Sequence, residues 1–130
     1  MPVQVIWDDE AQTTLRQIYA GHVKLTDYIT ATDEFKRMAE SMPHTVHSLM
    51  DRTQILSTPA VMLPALRYAN TYVASNLGLR VIIKAGMFTR FFVDMGRRVA
   101  PHLVKNVHFV DTLDEARALI ASQTQPISTS

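Results

Sequence analysis

Three β-branched residues in succession, Val81-Ile82-Ile83, constrain this chain more than any other segment. Branching at Cβ favours extended backbone, and consecutive apolar residues suit a strand covered on both faces. The run sits inside Gly78-Leu79-Arg80-Val81-Ile82-Ile83-Lys84-Ala85-Gly86, whose glycines separate it from helical patterns on either side. A strand buried twice needs helices above and below it, so the segment predicts an α/β sheet.

The remaining elements follow from local patterns. Val3 to Trp7 and Thr13 to Val23 read as two strands joined at Asp8-Asp9-Glu10, an antiparallel hairpin. The first helix opens at Thr26-Asp27, with Thr26 as cap; Tyr28, Thr32, Phe35, Ala39 and Met42 recur at helical spacing, and Pro43 stops it. A third strand is expected from His44 to Asp51, then a loop from Arg52 to Ser57. Thr58-Pro59 starts a second helix whose apolar face is Met62, Leu66, Ala69 and Val73, ended by Asn76 and Gly78. Pro64 removes one donor from it and bends its first turns. The third helix, Met87 to Ala100, carries the stripe Phe88, Phe91, Phe92, Met95 and Val99, with Arg90 and Asp94 spaced for an ion pair. Val107 to Val110 is the fifth strand. Thr112-Leu113-Asp114-Glu115 is a capping box opening a last helix, with Leu113, Ala116 and Ile120 inward. The order is ββαβαβαβα: a single domain with a mixed five-stranded sheet and four helices. The domain is expected to span residues 1–121, and the polar stretch 122–130 to be a flexible tail.

At 130 residues the chain buries enough surface to fold without staples. It has no cysteine, which excludes disulfides and thiolate metal sites. The acidic start, MPVQVIWDDE, is unlike a secretion signal, and the longest apolar run is too short to span a bilayer, so cytoplasmic location without membrane insertion is expected. A net charge of +1 argues against nucleic acid as partner. The charge is nevertheless polarised. Residues 1–65 hold eight acids and five Lys/Arg, a balance of −3, and residues 66–130 hold four acids and eight Lys/Arg, a balance of +4. Arg80, Lys84, Arg90, Arg97, Arg98 and Lys105 make most of that excess, an anion-facing patch in prospect.

Several phrases resemble one known superfamily. They are Tyr19-Ala20-Gly21 followed by Leu25-Thr26-Asp27, Ser48-Leu49-Met50-Asp51, Leu77 to Ile83, and Val107-His108-Phe109-Val110-Asp111-Thr112-Leu113-Asp114-Glu115-Ala116-Arg117-Ala118-Leu119. Together they are similar to the STAS/SpoIIAA-like superfamily, in particular its small uncharacterised bacterial branch, over about Val3 to Ala121. The resemblance implies a SpoIIAA-like mixed sheet and a role in protein–protein regulation or small-ligand sensing. Sporulation-type members are phosphorylated on a serine in an Asp-Ser-(Ser/Thr)-Gly turn at the start of helix two. Here that place reads Ile55-Leu56-Ser57-Thr58-Pro59-Ala60, which lacks the Asp and the Gly but keeps the hydroxyls of Ser57 and Thr58.

No chemistry of catalysis is legible. There is no G-x-S-x-G, the five histidines form no ligand pattern, and neither a catalytic residue, a metal nor a cofactor is assigned. The chain is read as a non-enzymatic regulatory or interaction domain that binds a protein partner through helix two and the loop before it, with a homodimer as a further expectation. Ser57, Thr58, Tyr68 and Tyr72 are its partner-facing or modifiable residues. The alternative is an anionic or lipid-like ligand at the carboxyl ends of the strands, where Arg52, Thr53, Gly86, Thr89 and Arg90 are expected to gather.

Overall fold

The computed structural model describes residues 3–57 and 62–124. Strands β1 (Val3–Trp7), β2 (Thr14–His22), β3 (Val46–Ser57), β4 (Leu77–Ile83) and β5 (Val107–Val110) form one sheet in the order β1-β2-β3-β4-β5. β1 is antiparallel to β2, and the other neighbours are parallel. The helices are α1 (Leu25–Glu40), α2 (Met62–Thr71), α3 (Met87–Val99) and α4 (Leu113–Thr124), with a 3-10 turn at Pro101–Val104.

Sequential parallel strands joined by crossovers of the usual hand keep their helices on one side. Accordingly α1, α2 and α3 share one face, packed on Leu15, Tyr19, Met50, Ile82 and Val107. Among the described residues α4 covers the other, placing Ala116 and Ile120 against Leu49, Val81 and Ile83. Val81 and Ile83 are fully buried and Ile82 nearly so, on opposite sides of β4, as the sequence run predicts.

The local signals hold with adjustments. Thr26 does not cap α1; the cap is Lys24, two residues earlier, and the Asp27 carboxylate accepts from the Lys24 amide at 2.8 Å. Asp9 accepts from the amides of Thr13 and Thr14 at 3.0 and 3.1 Å, so this acid builds the hairpin turn. Residues 52–57 are not a loop but the second half of β3, because β2 continues beside them as far as His22. Asn76 donates to the carbonyls of Ala39 and His44, both at 2.7 Å, tying the end of α1 to the start of β4. The Glu115 amide donates to Thr112 Oγ1 at 3.1 Å, and α4 continues past Ala121 to Thr124. The Thr58-Pro59 start lies outside the described residues.

Gly78 is part of β4 rather than a helix stop. His47 lies against it, its Nδ1 accepting from the Leu79 amide at 3.0 Å, and a Cβ on Gly78 would stand 2.4 Å from that nitrogen. Nothing lies within 4 Å of a Cβ built on Gly86. Gly78→Ala is therefore expected to cost about 1–3 kcal/mol through overpacking. Gly86→Ala, where the backbone is extended and the new Cβ meets nothing, should cost less, about 1 kcal/mol or under, because alanine is a poorer N-cap than glycine while it restricts the unfolded chain. Urea denaturation of the two variants beside the parent checks the contrast.

Candidate functional site

The residues expected to meet at the strand ends are used separately. Arg52 is buried on the face of α1 and donates from Nη1 to Tyr28 Oη at 2.8 Å. Thr53 points to the other face, where its amide and hydroxyl donate to Asp51 Oδ1 at 3.0 and 2.6 Å. Asp51 also holds Arg16, with Nη2 at 2.9 Å. Gly86 is the N-cap of α3, and Thr89 lies in that helix's first turn. Arg90 does not pair with Asp94: it reaches Asp111 at 3.5 Å and lies over the Phe109 ring at 5.2 Å, while Asp94 pairs with Arg97 at 3.1 Å. Gly86, Arg90 and Asp111 are thus neighbours, whereas Arg52 and Thr53 are committed elsewhere on opposite faces.

The partner-facing set is divided in the same way. Ser57 ends β3 and pairs with His22, and Thr58 is outside the described residues. Tyr68 donates to Asp33 Oδ1 on α1 at 2.7 Å, a bond that holds the phenol protonated and pushes its pKa up to about 12. Its ring packs on Tyr72 at 4.5 Å between centroids, and Tyr72 remains 47% exposed.

Two features stand out that the local patterns did not assign. The first is the outer face of α3. Met87, Phe91, Met95 and Val99 recur every fourth residue, and they are 87, 58, 46 and 80% exposed. Val93, on the opposite side, is buried against Ile82 and Val107. Phe91, Met95 and Val99 of the apolar stripe read from the sequence are therefore turned away from the core. The cause is positional: α3 covers β5, a four-residue strand at the edge of the sheet, which offers little surface to bury against.

The second feature is a cavity of about 120 Å³ between the sheet and α2. Met50 and Ile82 floor it, Phe35 and Val93 wall it, and Leu66 and Ala69 roof it. Ser48 donates to Gln17 Oε1 at 3.1 Å in its floor. Arg80 lies at one end and also borders an adjoining open space of about 300 Å³, shared with Asn70, His102, Lys105 and Asn106. None of the residues expected at the strand ends lines either space. Arg80 was legible only as surface charge, yet it stands two residues before Ile82 in a doubly buried strand, and alternation puts both on one face.

Comparison with solved structures finds this architecture elsewhere. An uncharacterised protein of the DUF3478 family from Shewanella loihica, described as having a SpoIIAA-like fold, superposes with a TM-score of 0.61 at 12% identity, over 90% of each chain. The fold is SpoIIAA-like. No family model matches the sequence, and no curated protein does either. Among the described residues no helix of this SpoIIAA-like domain is long and apolar enough to cross a membrane. No cluster of three His, Asp or Glu side chains is placed to hold a metal ion there either.

The Asp51 cluster gives a pH test of how firmly β2 and β3 are tied. Burial pushes the Asp51 carboxyl up, but its bonds from Thr53 and Arg16 outweigh this, and the pKa is lowered. A carboxylate depressed in the folded state stabilises above its unfolded value and loses that contribution as pH falls. Asp51→Ala is expected to cost about 3 kcal/mol at pH 7, the low end for breaking a buried pair because Arg16 is partly exposed. The gap between parent and variant should narrow below about pH 4, measured by urea denaturation across pH.

Proposed function

We propose that this SpoIIAA-like domain is a non-enzymatic interaction module that docks a protein partner on the outer face of α3. The single observation that carries this reading is the exposed row Met87, Phe91, Met95 and Val99. Scattered apolar residues on a surface are ordinary, whereas four in register on one helix make a patch that binding would cover. Such a row at i, i+4, i+8 and i+12 suits a helix or groove that accepts its side chains in series.

Charge favours the kind of partner. From Lys84 to Lys105 the chain carries five Lys/Arg and one acid, and Arg98 is exposed on α3 itself. Two copies of α3 laid antiparallel would set these cationic edges against each other. An apolar surface edged by Asp and Glu complements them. The expected docking element is therefore α3, in place of α2 and the loop before it.

The test is Phe91→Asp with Met95→Asp, two changes at exposed positions that should leave stability nearly unaltered. A protein captured on the parent domain from its own host is purified and titrated against both forms by calorimetry. The expected result is an affinity at least tenfold weaker for the variant, and weakening of the parent complex as salt is raised. Equal affinity for both forms overturns the reading. So does a parent dimer that the variant disperses in native mass spectrometry. Binding of the parent to anionic phosphatidylserine vesicles, with no protein complex formed, does so as well.

A further inference from the structure

Among the described residues Arg80 has no anionic partner. Its Nε is buried with no hydrogen-bond partner among them, and its Nη2 donates to Asn70 Oδ1 at 3.3 Å. Among the described residues, none of the ion pairs involves it. Burial alone acts on its ionisation, lowering the pKa, and no carboxylate counters it. Arg80 is half-buried, and a guanidinium whose Nε is sealed from water without a partner is costly unless something supplies the negative charge. Arg98, on the same chain, meets no such cost because it lies in solvent.

The surroundings of Arg80 indicate what that anion carries. On one side is the apolar chamber beneath α2, bounded by Met50, Leu66, Ile82 and Val93. Its 120 Å³ approaches the roughly 150 Å³ of an apolar protein cavity known to hold benzene. On the other side is the open polar space with Asn70 and Lys105. Val73, Ala74 and Leu77 line both spaces together with Arg80, so the two adjoin at that residue.

We infer that the two spaces form one site for a small amphiphilic acid. Its anionic head lies against Arg80, with Asn70 and Lys105 at the mouth, and its apolar tail of about six carbons enters the chamber beneath α2. The guanidinium fork fits either a carboxylate or a phosphate monoester, and the shared requirement is a single anionic head on a short apolar tail. The site is separate from the outer face of α3, so either can be lost while the other remains.

Hexanoate, hexyl phosphate and 1-hexanol are the probes, titrated into the whole domain and followed by methyl NMR and calorimetry. At least one of the two anions should bind ten or more times more tightly than the alcohol, shifting the methyl signals of Leu66, Ile82 and Val93. Whichever anion binds more tightly identifies the head group. Arg80→Met should erase the preference for the anion, keep binding of 1-hexanol and raise the melting temperature, since it removes a half-buried charge that no carboxylate among the described residues pairs with. Ala69→Phe, which fills the chamber from its roof and leaves Arg80 in place, should remove binding of all three probes. Equal affinity for anion and alcohol in the parent overturns the assignment, as does an absence of shifts at those three methyls. Unchanged anion binding in Arg80→Met, or in Ala69→Phe, overturns it as well.

Discussion

The arrangement rests on burial of β3 and β4 from both sides. Leu49, Val81 and Ile83 are sealed by α4, while Met50 and Ile82 lie beneath the opposite layer. Completely burying a side chain of this size stabilises by roughly 1.5–3 kcal/mol, so these few residues account for much of what holds the domain together. The requirement for two covers also determines the use of every helix. Sequential strand order commits three helices to one face, leaving α4 as the cover of the other. That helix is fixed at its first turn by Thr112 and farther along by Arg117, which donates to Asp8 at 2.8 and 3.0 Å beside the opening hairpin.

The three-helix face is unequally served. α1 lies over the long strand β2 and buries Tyr28, Ala31, Phe35 and Ala39 in succession. α2 packs Ala65 and Leu66 against two different clusters and leaves the chamber beneath it. α3, over the short edge strand, buries Val93, while Arg90 and Arg97 lie across the Phe109 ring. The result is a domain whose central sheet is well packed and whose departures from good packing, an apolar face outward and a half-buried cation with no anionic partner among the described residues, both lie around α2 and α3. Natural sequences tolerate such departures where binding requires them.

Much of the architecture was legible in the residues. The β-branched run identified the central strand, Thr112 with Glu115 marked the last helix, and alternation in the opening segment gave the hairpin. The sheet order was not legible, because no local pattern encodes which parallel strands are neighbours. The length of β3 was missed because Arg52, Thr53 and Gln54 are polar; their partners in β2 and the Asp51 cluster keep that segment extended. The direction of α3 was missed for a different reason. Periodicity locates the apolar side of a helix, but whether that side faces the sheet depends on how much sheet is available. Arg80 was counted as surface charge because net charge and patch reasoning ignore strand alternation, which places it beside Ile82. Arg52 and Thr53 adjoin in sequence and were grouped as one site, although alternation sends adjacent strand residues to opposite faces.

The orientation of α3 is the central claim, and a chain without cysteine allows it to be measured directly. Single substitutions Phe91→Cys, Met95→Cys and Val93→Cys would be exposed to a maleimide under native conditions. Labelling of the first two at the rate of an unfolded control, with Val93→Cys protected until the domain unfolds, is the result this account predicts. Rapid labelling at Val93→Cys with protection at Phe91→Cys and Met95→Cys would mean that the apolar row faces the core, and would contradict it.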